Sequence, residues 1–305
     1  MKTIAEIQES LSSGNVRKIA VAAAGDADVL RSIRTAFDEG IAEAILTGNK
    51  DQIKKAAEES GIDISPFTLV ESADESGAAR TAAKLVSEGK AEMIMKGLLP
   101  TGIFLKALLD PSFTLRKEGN IISAIAVLEA PDQGRLLFLT DPGFVPLPDF
   151  ETKRKLIHNV AEVVKKFGID EPKVAVLCAA ETVNPKIPVT VEAAELERLN
   201  KNGSIKGCLI AGPISLDLAI SESSAKHKNY IHPVAGKADV LLAPDLQSAN
   251  ILYKSLTYFG KLKTGGIMTG ANVPVIFTSR SDTAETKLNT ILFAAYLAAQ
   301  AGDGK

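Results

Sequence analysis

The feature that most restricts the fold is an alternation, sustained along the chain, of short apolar runs with helix-length segments. Residues 19–23 read as a strand, closed by Gly25-Asp26 ahead of a helix carrying Val29, Leu30, Ile33 and Phe37. Residues 41–46, 67–70 and 93–95 read as further strands, with helices over 51–60 and 76–88 between them. Strands separated by helices of this length imply right-handed βαβ units and a mostly parallel sheet. The pattern breaks once. Runs 121–128 and 136–139 are joined only by the turn 130–134, which predicts an antiparallel hairpin. After Asp141 come three prolines in seven residues, at 142, 146 and 148, which fits a crossing between domains. The alternation then resumes with a helix over 151–167, a strand over 174–178, a helix over 189–199 and a strand over 208–211. Residues 221–236 are polar and read as a mobile connection.

Composition excludes several classes. A formal net charge of −2 with no basic tail leaves no electrostatic footprint for nucleic acid or an anionic membrane. No apolar run approaches the ~20 residues of a membrane span. The N-terminal segment reads as an amphipathic helix rather than a targeting segment, so the expectation is a soluble cytoplasmic protein. The two cysteines, Cys178 and Cys208, sit in apolar runs and read as buried free thiols. His227 and His232 keep company with lysines rather than with further ligand types, which argues against a metal. Neither GxxxxGK[ST] nor GxGxxG follows any strand, so P-loop and dinucleotide fingerprints are absent.

The most informative stretch is 238–291. An apolar run at 240–242 ends at Pro244-Asp245. A helix follows, with Ile251, Leu252, Leu256 and Phe259 on one side and Asn250, Lys254 and Tyr258 in line on the other. The strand 273–277 then empties into Thr278-Ser279-Arg280-Ser281-Asp282 and a long helix. A strand emptying into polar residues at a helix start is a common anion site, where free N–H groups and an arginine fork meet phosphate oxygens. Asp282 and Glu285 are also a good capping pair, and capping alone accounts for them equally well. Ser279 and Arg280 are not needed for capping. A second candidate is the strand end Lys96-Gly97, followed by Thr101, which reads as the N-cap of the next helix.

Several ordered pieces resemble the phosphate acetyl/butyryltransferase family. They are Lys237-Ala238-Asp239 with Pro244-Asp245-Leu246, then Ala249-Asn250-Ile251-Leu252-Tyr253-Lys254, then Pro274 through Ser279-Arg280. Segments 253–259 and 278–282 are more similar to the butyryltransferase branch, and a weaker likeness covers nearly the whole chain. The resemblance implies two α/β/α domains with mostly parallel sheets and an active cleft between them, like the isocitrate/isopropylmalate dehydrogenases. The implied boundaries are 1–140 plus 272–305 for one domain and 141–271 for the other.

The resemblance also implies roles. Arg280 holds the phosphoryl group and Ser279 donates to the developing oxyanion. Lys96, Gly97, Thr101, Lys106, Asp245, Asn250 and Lys254 bind CoA or phosphate, with Lys106 near the place of a family arginine. Asp141 falls at the cleft edge, Asp217 matches a family aspartate and Ser123 a family serine. An aspartate that family acetyltransferases carry seven residues after the serine is Thr286 here, so the base falls to Asp282 or Glu285. The implied reaction moves a short acyl group between CoA and phosphate, with CoA as substrate, no tightly bound cofactor and no metal. Acyl-CoA, phosphate and acyl phosphate are the implied partners, in a homo-oligomer without nucleic acid or membrane. Alternatives are an acetyl-specific enzyme, a non-catalytic CoA or acyl-phosphate binding protein, and a decarboxylating dehydrogenase, which lacks the aspartate cluster it needs.

Overall fold

At five β–α junctions an aspartate or asparagine stops the strand and starts the helix. Asp26, Asn49, Asp74, Asp149 and Asp245 each accept the main-chain N–H of the residue three further on, at 2.7–2.9 Å. These side chains satisfy donors that a helix start leaves unpaired. The computed structural model describes residues 3–12, 14–130, 134–279 and 282–302.

In chain order the elements are α1 (Ile4–Ser12), β1 (Arg17–Ala22), α2 (Ala27–Asp38), β2 (Ala42–Gly48), α3 (Lys50–Glu59), β3 (Thr68–Glu71), α4 (Glu75–Ser87), β4 (Met93–Lys96) and α5 (Thr101–Leu108). The hairpin β5 (Ser123–Ala130) and β6 (Arg135–Thr140) comes next, then α6 (Phe150–Lys166), β7 (Lys173–Leu177), α7 (Pro188–Lys201), β8 (Leu209–Ile214), α8 (Leu216–Ile220) and α9 (Glu222–His227). The chain closes with β9 (Val240–Leu242), α10 (Leu246–Tyr258), β10 (Thr264–Thr269), β11 (Val275–Ile276) and α11 (Ala284–Gly302). The fold is mixed α/β with mostly parallel strands.

The described residues fall into two units, one of 3–120 with 264–302 and the other of 121–263. In the first the strand order is β3-β2-β1-β4-β11-β10, parallel except for the β10–β11 pair. Helices on both faces bury the central strands completely: all four residues of β4 are buried, Lys96 included. Helix α11 packs against α1, α2 and β10, and every residue from Ile291 to Ala298 is buried. In the second unit the order is β5-β6-β9-β7-β8, with only the hairpin antiparallel. Its core includes Leu128, Leu139, Leu241, Ile214 and Leu218.

The sequence-based boundaries near 140 and 271 differ from these, for a physical reason. Strand β6 pairs in parallel with β9, which binds the hairpin to 121–263, while β10 pairs with β11 and so belongs with 3–120. The stretch 221–236 is not a loose connection. It contains α9, capped by Ser221, and is tied down by Gly236 N–H and Ala238 N–H donating to Leu218 and Ala219 carbonyls. Among the described residues no helix is long and apolar enough to cross a membrane.

Candidate active site

In the first unit the site begins with strand register. β11 lies parallel to β4, with Val275 opposite Ile94 and Ile276 opposite Met95. The chain leaving β11 at Phe277 therefore runs beside the chain leaving β4 at Lys96, at the carboxyl ends of both strands. Ligands in open α/β sheets collect outside these ends. Lys96 is only 4% exposed, and its Nζ donates to the Gly97 carbonyl at 3.3 Å. The ammonium also sits 5.7 Å from the centre of the Phe277 ring, within cation–π range. Gly97 allows this turn because a Cβ there would come within 2.3 Å of the Ala23 carbonyl oxygen. Its N–H and that of Leu98 donate to the carbonyls of Ala22 and Ala23, both at 2.8 Å.

Thr101 is not the N-cap of α5. Pro100 holds that position without a side-chain bond, and Thr101, the first helical residue, is exposed, as is Lys106.

Beyond Phe277, Thr278 is buried and Ser279 is exposed. Ser279 N–H donates to Asp282 Oδ2 at 2.7 Å, and Asp282 N–H donates to the Ser279 carbonyl at 3.2 Å. Arg280 and Ser281 lie outside the described residues. The capping pair expected at Asp282 and Glu285 is displaced by one residue: Thr283 Oγ1 accepts Thr286 N–H at 3.2 Å. The Asp282 carboxylate is held by the Ser279 N–H instead, and Glu285 stands exposed in the first turn of α11. Thr286, at the place of the family aspartate, shares in this cap.

One residue that sequence reasoning missed is Lys287. It is 3% exposed and its Nζ donates to the Asp282 carbonyl, so a buried ammonium braces the turn that starts at Ser279. The signal was present, since 287 lies one turn before Ile291 on a buried line of α11, where an apolar residue is expected.

In the second unit β6 and β9 run parallel with Thr140 opposite Leu242, so the segments after both strands emerge together. Asp141 is 4% exposed; its Oδ1 accepts Gly143 N–H at 2.7 Å and Phe144 N–H at 2.9 Å, and its Oδ2 accepts Ala124 N–H at 3.1 Å. Burial pushes its carboxyl above the usual range, against the opposing pull of these N–H groups. Asn250 Nδ2 donates to the Pro142 carbonyl at 3.1 Å, which ties α10 to the same segment. Asp245 caps α10, accepting Ser248 N–H and Oγ–H at 2.8 Å each, and the Ser248 main-chain bond holds its carboxyl below the usual range.

Lys254 Nζ lies 5.7 Å from the ring centres of both Tyr253 and Tyr258. The partition of α10 differs from the expectation: Ile251 is 66% and Phe259 89% exposed, and Ala249 alone is fully buried. Ser123 is structural, buried and bonded by Asn159 Nδ2 at 3.3 Å, while Asp217 pairs with Lys228 at 3.1 Å on an exposed surface.

A fold with two sets of polar loops at parallel-strand carboxyl ends, one holding a buried lysine beside a serine turn, defines an α/β enzyme suited to anionic substrates. The chain matches the family described as "Phosphate acetyl/butaryl transferase" over residues 73–295. It is 44% identical over 298 residues to a phosphate butyryltransferase of Clostridium acetobutylicum, covering 98% of this chain and 99% of that protein. It is 40% identical over 288 residues to a phosphate acetyltransferase of Thermotoga maritima, covering 94% of this chain and 97% of that one. A branched-chain phosphotransacylase from Enterococcus faecalis superposes with a TM-score of 0.83 at 33% identity, covering 93% of this chain and 99% of that structure. The chain belongs to the phosphate acetyl/butyryl transferase family and is an acyltransferase.

Proposed function

We propose that the protein catalyses butyryl-CoA + phosphate ⇌ butyryl phosphate + CoA, by direct thiolate attack in a ternary complex. The observation that carries this reading is the similarity to a butyryl enzyme over 98% of the chain, at greater identity than to an acetyl enzyme, together with the family match over residues 73–295. Written from the acyl phosphate, the CoA sulfur forms a bond to the carbonyl carbon, the carbon–oxygen bond to phosphate breaks, and the thiol proton passes to a base. A thiol of pKa about 8.5 is only a few per cent ionised at neutral pH, and a positioned base recovers about 2 kcal/mol of that deficit. Oriented donors to the developing oxyanion and leaving phosphate contribute more, about 3–4 kcal/mol each.

The proposed roles follow this weighting. Arg280 clamps the phosphoryl oxygens, Ser279 donates to the oxyanion, and Asp282 accepts the thiol proton. Lys96, Gly97, Thr101, Lys106, Asp245, Asn250, Lys254 and Glu285 serve CoA and phosphate binding. Asp245 does so through the helix start it caps rather than by direct contact. No tightly bound cofactor is required, because CoA is itself a substrate. We propose a cytoplasmic location and a homo-oligomer; the exposed Ile251 and Phe259 at α10 support the self-association alone.

Thiol release from acetyl-CoA and butyryl-CoA, each with and without phosphate, tests the reading. Phosphate-dependent release with a higher kcat/KM for butyryl-CoA is expected. A higher value for acetyl-CoA makes this an acetyltransferase, a reading that the 40% identity to the Thermotoga enzyme favours. Release from neither contradicts catalysis and leaves a binding protein.

A further inference from the structure

The part of the substrate that distinguishes butyryl from acetyl transfer is an alkyl tail, and the turn that follows β11 begins with an apolar ring. Strand register sets Phe277 beside Lys96, one step beyond the Ile276–Met95 pair. Neighbours in register turn their side chains to the same face of a sheet, and the Lys96 ammonium does sit 5.7 Å from the centre of the Phe277 ring. Exposure then alternates along the chain leaving β11: Phe277 is partly exposed, Thr278 buried and Ser279 exposed. That is the pattern of an extended segment, which turns Phe277 and Ser279 to one side, about 6–7 Å apart along the chain.

The ring is also held in place. Phe104 of α5, only 1% exposed, lies 6.3 Å from it centre to centre at an angle of 45°. With Phe104 and the buried Lys96 against it, the ring is a fixed wall whose uncovered part lies, by the alternation, on the face shared with Ser279. A fixed aromatic surface gives an alkyl chain apolar contact at little cost in entropy. Leu98 is the exposed apolar side chain on the neighbouring β4 chain, but that chain turns toward β1, where Leu98 N–H donates to the Ala23 carbonyl at 2.8 Å.

We propose that Phe277 determines which acyl group is transferred: a thioester whose carbonyl meets Ser279 lays its alkyl tail on the Phe277 ring. Acetyl carries a single methyl beyond its carbonyl and stops short of the ring, while the three further carbons of butyryl reach it. The proposal rests on the reading of Ser279 as the oxyanion donor and deepens it by naming what selects the tail. The role is selection rather than catalysis, since the ring moves no proton and carries no charge.

Phosphate-dependent thiol release from acetyl-CoA, butyryl-CoA and hexanoyl-CoA, compared between the wild type and two variants, tests it. In Phe277→Asn the ratio of kcat/KM for butyryl-CoA to that for acetyl-CoA should fall about fivefold to fifteenfold, as for two methylenes that lose their apolar contact. Phe277→Leu keeps an apolar wall and gives the tail more room, so the hexanoyl-to-butyryl ratio should rise about threefold or more. A ring that only packs against Phe104 would lower every kcat/KM alike. Wild-type ratios in either variant, with its circular dichroism unchanged, therefore overturn the proposal. A wild type that releases thiol from none of the three contradicts acyl transfer itself, a result distinct from an active variant with unshifted ratios.

Discussion

Lys287 is a residue whose chemistry and surroundings do not match, since an ammonium is buried on a helix whose following turns, 291–298, are apolar and buried. Its bond to the Asp282 carbonyl makes it a brace for the turn that Ser279 opens. Replacing Lys287 with Met keeps the volume and removes a buried charge, which is often neutral or stabilising. The melting temperature should hold or rise, while kcat falls about tenfold or more, because small displacements of catalytic groups are expensive. An unchanged kcat would assign Lys287 to packing alone. The two thiols make a pH-dependent case. Burial pushes Cys208 up to about 11 and also raises Cys178, so each is less ionised at a given pH than a free thiol. Both should react slowly with a thiol reagent at pH 8 in the native state and rapidly in denaturant. Rapid native labelling at Cys208 would contradict its burial.

At the scale of elements, what the sequence discloses depends on whether a local rule decides the outcome. The hairpin β5–β6 was legible because its turn is too short for a helix, and the strands before α2, α3 and α4 because each is a short apolar run followed by a helix-length segment. The N-cap of α11 was misread, since Asp282 and Thr283 are both good caps and only the bond between Asp282 and Ser279 N–H decides between them. The face of α10 was misread for a different reason. Helical period identifies the line through Ile251 and Phe259 but not whether anything covers it, and among the described residues none buries these two side chains. The parallel pairing of β11 with β4, which brings Lys96 and Phe277 together, is a long-range contact with no local signature. If subunit association covers that face of α10, Phe259→Ser should shift the protein toward the monomer in sedimentation velocity without altering its circular dichroism. An unchanged sedimentation coefficient would place the subunit contact elsewhere.

For the whole molecule, the family match and the two parallel-strand units converge on acyl transfer between CoA and phosphate, and the loops after β4 and β11 are its proposed anion-handling part. The alternation of elements and the ordered motifs made that reading accessible from sequence. Phosphorus NMR of butyryl-CoA and phosphate, run with wild type and with Arg280→Ala in parallel, tests the central claim most directly. The account predicts a butyryl phosphate resonance growing in step with free thiol for the wild type, and a rate about 10²–10³-fold lower for a folded Arg280→Ala protein, as for loss of an oriented cationic clamp on the phosphoryl oxygens. Thiol release without an acyl phosphate signal, or a wild-type rate in the variant, would contradict it.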